Sequence, residues 1–190
     1  MNLTLTLTRT RTLRGAWLPA LLLATLMAPA AAHVALAQPQ AAAGSSYSAV
    51  LRLSHGCAGS ATHTVAVQLP AGFRGAKPSP KAGWALSVRR QALAQPYDSH
   101  GRRVTEEVVE VVWTARSPEH FLADAWFDEF SVRGQLPLQA GPLWFKLQQL
   151  CEIGRLDWTE IPVTGTATGH LLAPAVLLEV LPAATAGHPH

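Results

Sequence analysis

Cysteine is nearly absent: the chain has two, Cys57 and Cys151, among 190 residues. Neither has a second cysteine two to four residues away, so the close thiolate spacing of structural zinc sites is missing. Charge is scarce as well, at 14% Asp, Glu, Lys and Arg. Of the fifteen Lys and Arg, three (Arg9, Arg11 and Arg14) stand near the start of the chain, and the remainder balance the twelve Asp and Glu. The formal charge of +3 therefore resides in the first residues and not in the body of the protein. That distribution argues against a nucleic-acid partner, which calls for a basic face on the folded domain. The apolar run 16–27 is shorter than the about 20 residues that span a bilayer, and no transmembrane segment is expected beyond it. Catalytic templates are missing too: there is no G-x-S-x-G, H-E-x-x-H, phosphate-binding loop or dinucleotide fingerprint. The eight histidines are scattered, with no pair at i, i+4. The expectation is a protein that is not an enzyme.

What is present begins with residues 1–32. A positive start, a short apolar middle and small residues at Ala30 and Ala32 make up a secretory signal peptide with an A-x-A site. Cleavage after Ala32 exports the protein to the periplasm or the extracellular space and leaves His33 as the first residue. An N-terminal histidine carries two nitrogens that close a chelate on one metal ion, its α-amine and Nδ1 of its ring. Residues 33–181 are then one domain, long enough to bury a substantial core, and 182–190 form a loose tail rich in Ala, Gly, Pro and His. His188 and His190 in that tail are opportunistic metal binders at most. In an oxidising compartment two cysteines read as a disulfide. Closing its loop of roughly 95 residues contributes about 4–5 kcal/mol in chain-entropy models. A pair of soft thiolate ligands for Cu(I) or Zn is the competing reading.

The body of the chain has the pattern of strands. Residues 46–53 and 62–69 alternate, with Val65, Val67 and Leu69 on one face and Thr64, Ala66 and Gln68 on the other. Further short β-type runs cover 84–89, 107–114, 127–133, 142–148 and 156–161, and 171–181 adds a last one in which Pro174 demands an edge or a bulge. Turn signals separate them, among them Pro70-Ala71-Gly72, Lys77-Pro78-Ser79-Pro80 and His100-Gly101. Helical periodicity is lacking, and 117–125 forms one short helix at best. Seven or eight strands at this spacing predict a single all-β antiparallel sandwich, immunoglobulin-like or cupredoxin-like.

Few residues carry candidate chemistry. Glu106 and Glu107 open a strand, where a solvated edge accounts for them. Asp128 and Glu129 lie between Phe127 and Phe130. On a strand they point to opposite faces, so one faces inward unless the strand is at an edge, and an inward carboxylate needs a cation or donors. Trp84, Trp113, Trp126 and Trp144 sit in or beside strands and read as core aromatics, and periodicity alone places Trp158 there as well.

Taken in order, several segments resemble one family. They are His33-Val34-Ala35-Leu36 directly after the leader, Gly44-Ser45-Ser46-Tyr47 and His55-Gly56-Cys57-Ala58-Gly59-Ser60. Then come Lys77-Pro78-Ser79-Pro80-Lys81-Ala82-Gly83-Trp84, Phe127-Asp128-Glu129-Phe130, Gly141-Pro142-Leu143, the run from Gln149 to Cys151 and Trp158-Thr159-Glu160-Ile161-Pro162. Together they are similar to the YcnI-type copper-binding domain family, secreted bacterial β-sandwiches that bind Cu(II). The resemblance implies a monohistidine brace, the amine and ring of His33, with Trp158 as the neighbouring tryptophan. It also implies carboxylates as further ligands. Some members place a glutamate before the P-K-P-G-W turn, where Ser79 stands here, and Ala82 replaces that turn's second proline. Glu129 is the substitute carboxylate in this chain.

Three functional readings follow. The first is a non-catalytic Cu(II)-binding protein for copper acquisition, delivery or buffering, with another copper-handling envelope protein as a possible partner. The second is a disulfide-bridged interaction module in which His33 is incidental. The third is an oxidative copper enzyme, which needs a second histidine from His55, His63, His100, His120 or His170. His55 is the best placed of these, because it neighbours Cys57.

Overall fold

Period-two alternation becomes strand wherever one face has a core to meet. A computed structural model describes residues 34–183. The expected signal peptide, His33 and the tail residues 184–190, with His188 and His190, lie outside the described residues. The strands are β1 Ala35–Leu36, β2 Gln40–Ala42, β3 Ser46–Leu53, β4 Thr62–Gln68, β5 Arg74–Pro78, β6 Trp84–Ser99, β7 Arg102–Ala115, β8 Asp128–Gln135, β9 Gly141–Cys151, β10 Arg155–Trp158 and β11 Val176–Leu181. One sheet has the order β1-β3-β8-β5; the other runs β2-β11-β9-β4-β7-β6, with β10 also paired to β9. The pairings are antiparallel apart from β2, which lies parallel to β11.

The two sheets form the expected sandwich. Leu51, Leu53, Phe130 and Val132 of the first share one buried core with Val65, Val67, Val111, Trp113, Phe145, Leu147 and Leu178 of the second. Phe130 meets Trp84 and Trp113 in edge-to-face pairs at centroid distances of 5.2 and 5.5 Å, an arrangement that suits the aromatic quadrupole. The indole of Trp113 donates to Ser79 O at 2.9 Å, so its polar atom is satisfied. Cys57 and Cys151 are joined in a disulfide, with Cα atoms 6.0 Å apart. None of the described helices is long and apolar enough to cross a membrane.

Several expectations are corrected. The short helix over 117–125 is a single 3-10 turn, Pro118–His120. Pro174 makes only an isolated bridge to Glu160, ahead of β11. Trp126 is not core but 65% exposed, because it ends the turn that its N–H closes onto Ala123 O. Lys77 and Pro78, expected in a turn, instead close β5, a sheet edge where Pro78 is tolerated. β6 and β7 run well past the expected segments, joined through His100 and Gly101, both at positive φ as a tight hairpin turn requires. Register shifts between Arg89 and Arg90 and between Ala92 and Tyr97 break their alternation.

Glu107 is also a correction. It does not sit on a solvated edge: it is buried, accepts from Gly75 N–H with both carboxylate oxygens at 3.1 Å, and accepts from the Tyr97 hydroxyl. Burial, with Glu107 beside it, pushes the Tyr97 hydroxyl up to about 12. Glu106 does face solvent, 3.6 Å from Arg90.

Candidate metal centre

One end of the sandwich gathers polar groups around a tryptophan. β9 alternates inward through Phe145, Leu147, Gln149 and Cys151, so Gln149 occupies a core position although it is polar. It is 1% exposed. Its Nε2 donates to His55 O and to Thr62 Oγ1, each at 2.7 Å, and its Oε1 accepts from Trp158 Nε1 at 3.2 Å. This orientation has no alternative, since a backbone carbonyl only accepts and an indole N–H only donates. Trp158 closes β10, paired with Leu147 of β9, and is buried among the core residues.

Beyond the end of β3, Ser54 leads into the His55-Gly56-Cys57 segment. The His55 ring stands edge-on to Trp158, with centroids 6.0 Å apart and planes at 72°. Its Nδ1 donates to Gly56 O at 2.6 Å. Gly56 N–H donates to Asp124 Oδ1 at 2.8 Å. A Cβ on Gly56 would lie 1.9 Å from Ser60 O, so only glycine fits there. The next residue, Cys57, is tied to β9 by the disulfide. His55 is therefore held through its carbonyl, its ring and the residues that follow it.

The expected site residues are distributed unevenly. His33 precedes the described residues, which begin at buried Val34 and enter β1, where Ala35 pairs with Arg52 near the end of β3. Trp158 is at the same end of the molecule through its contact with His55. Glu129 reaches the same end of its sheet, opposite Arg52, but on the outward face. β8 is an inner strand between β3 and β5, and Glu129 pairs with exposed Arg52 on the outward face, with Arg52 Nε at 2.8 Å from Glu129 Oε1. Asp128 takes the inward direction instead and is held by Lys81 at 2.6 Å. The carboxylate that touches the His55 segment is Asp124, which sequence reading passed over because its role is to hold a backbone N–H. The sign of Gln149 in the sequence is a polar residue at an inward position of an alternating strand.

Of the four other described histidines, His170 lies in the turn at 169–170 and three have places elsewhere. His63 bonds Thr64 Oγ1 at 2.9 Å and packs on Phe121, His120 bonds Ser117 Oγ at 2.9 Å, and His100 forms the β6–β7 turn. Among the described residues no group of three or more His, Cys, Asp and Glu side chains is gathered as a metal site. Among the described residues this end offers one imidazole beside an aromatic wall, and imidazole is a donor that suits copper and zinc.

Comparison with known proteins agrees with this architecture. A crystal structure of an uncharacterized protein from Nocardia farcinica, described as having an immunoglobulin-like fold, superposes with a TM-score of 0.60 at 25% identity. The likeness covers 78% of this chain and 97% of that one. No curated protein matches the chain. A family model described as a domain of unknown function, DUF1775, matches residues 33–180, and with so much of its length covered the chain belongs to that family.

Proposed function

We propose that this protein is an exported, non-catalytic Cu(II)-binding protein of the cell envelope, serving copper acquisition, delivery or buffering. In this reading the signal peptide is removed after Ala32, and His33 holds copper through its α-amine and ring. Copper is the cargo, and the domain over 33–181 is its carrier. The observation that carries the reading is the meeting of His55 and Trp158 at the end of β3, beside which β1 starts two residues after His33. The YcnI-type resemblance supports it, and so does the family match, which begins at His33.

The residues divide the work. An α-amine with an ordinary pKa of about 7.7–8.0 gives up its proton readily to such an ion. Trp158 has committed its indole N–H to Gln149, so it offers the site an apolar ring that excludes water and a π-system beside a cation. Glu129, bound to Arg52 on the outward face, contributes no ligand.

The test is a mature chain extended by one residue ahead of His33, which removes the free amine from the ring's chelate. Competition titration should show Cu(II) affinity falling by roughly 100-fold or more, since losing a chelate gives up preorganisation as well as a bond. Glu129→Gln should leave the affinity unchanged within about twofold, as expected of an exposed ion pair. Undiminished binding by the extended chain overturns the brace.

A further inference from the structure

We propose that the end of the sandwich bearing Trp126, Phe127 and Ile153 is a docking surface for a partner protein, one that presents an apolar side chain next to lysine or arginine. The inference stands apart from the copper reading and uses none of its ligands.

The first argument is exposure on an ordered frame. Trp126 is 65%, Phe127 70% and Ile153 79% exposed. Trp126 and Phe127 lie in the crossing from β7 to β8 and Ile153 in the turn between β9 and β10, two connections that close the same end of the sandwich. Neither connection depends on these side chains. The turn at 123–126 closes through backbone, Trp126 N–H to Ala123 O at 3.0 Å, and Ile153 is held by its N–H on Ser60 Oγ at 2.9 Å. The crossing is pinned on either side, by two 2.9 Å backbone bonds between Leu122 and Thr62 and by Lys81 on Asp128. Large apolar side chains kept in water on such a frame are what protein interfaces use as anchors, because folding has already ordered the backbone that carries them.

The second argument is the charge of the hollow that these connections share. It measures about 860 Å³, and Ala58, Ala123, Asp124, Glu152, Ile153 and Arg155 are among the residues that line it. Arg155 is taken up by Asp157 at 2.9 Å. Asp124 has one carboxylate oxygen on Gly56 N–H, and its second oxygen retains acceptor capacity. Glu152 is exposed and, among the described residues, makes no ion pair. The hollow is therefore negative, and with apolar groups beside it the complementary partner is a segment that sets a cation next to an apolar residue. An anionic bilayer, or the same face of a second copy, would bring like charges together, which disfavours both.

The test uses the mature protein without metal, so its outcome is separate from that of the copper titration, and a phage-displayed library of random dodecapeptides as the probe. Selected peptides should pair an aromatic or aliphatic residue with Lys or Arg. On the unaltered chain, the synthetic form of the best binder should shift the backbone amide resonances of 123–127 and 152–155; shifts confined to other residues overturn the proposal. Trp126→Ser combined with Phe127→Ser should weaken that peptide by roughly 10-fold or more. Glu152→Gln should weaken it about threefold at low salt and little at high salt, with an unchanged thermal midpoint showing that the variants are folded. A selection that yields no binder, peptides of acidic character, or equal affinity for parent and variants overturns it. So does binding of phosphatidylglycerol vesicles that the double substitution abolishes, which assigns the surface to lipid, or self-association lost in the same variant, which assigns it to a second copy. If the double variant does not fold, the amide shifts in the unaltered chain decide.

Discussion

Gln149 makes three hydrogen bonds from a core position, to His55 O, Thr62 Oγ1 and Trp158 Nε1. A polar residue is tolerated there because every partner is oriented for it, and the same completeness makes it costly to remove. Gln149→Leu preserves approximate volume but strands an indole N–H, a hydroxyl and a carbonyl. Each polar group left buried and unpaired costs about 1–3 kcal/mol, and some will find water at the open end of the sandwich. We expect a loss of about 3 kcal/mol in urea unfolding, with Trp158 fluorescence shifted to longer wavelength in the folded state. A loss below about 1 kcal/mol would show that the network does not tie these segments together. Glu129 makes the opposite point. Its identity marked it as a candidate ligand, yet strand register turned it outward onto Arg52.

At the scale of elements, the sequence was most legible where a strand has one face in the core. The alternation of 46–53 matches β3 residue for residue, because a slip of one position would send Leu51 and Leu53 into water. It was least legible in the β6–β7 hairpin, where the far half of β6 buries little and bulges interrupt its period. What holds that arm is a polar latch: Tyr97 donates to Glu107, which also receives Gly75 N–H from β5 in the other sheet, and Arg74 lies over the Tyr97 ring at 4.4 Å. Tyr97→Phe should keep the ring and lose the hydroxyl, lowering global stability by about 1 kcal/mol. Amide exchange should quicken mainly in the outer half of the hairpin, while β4 and β9 stay protected. Uniform acceleration across both sheets would contradict a local latch.

For the whole molecule, alkaline pH is informative because both tyrosines are affected. Burial pushes the Tyr47 hydroxyl, which donates to Gln38 O at 2.5 Å, up to about 12, and Tyr97 is pushed to a similar value. In the unfolded chain both ionise near 10. Between pH 10 and 12 the unfolded state therefore loses protons that the folded state keeps, and stability falls as pH rises. This contribution is intact below pH 10 and gone above about 12. Tyrosinate absorbance followed beside circular dichroism should show ionisation arriving together with unfolding, and free ionisation near pH 10 in a folded protein would refute it. The composition and periodicity of the chain determined the all-β class, most of the strands and the core valines and leucines, because burial of alternating side chains is a local property that each segment declares by itself. The oxidising context suggested the disulfide, and the folded chain brings Cys57 and Cys151 to bonding distance. Only tertiary structure decided that Asp128 and not Glu129 faces inward, that Glu107 is a latch, that Trp126 is exposed, and that His55, Gln149 and Trp158 meet. Each of those facts depends on which strands become neighbours and in what register, and pairing between residues as far apart as Gln149 and His55 leaves no periodic trace in the sequence.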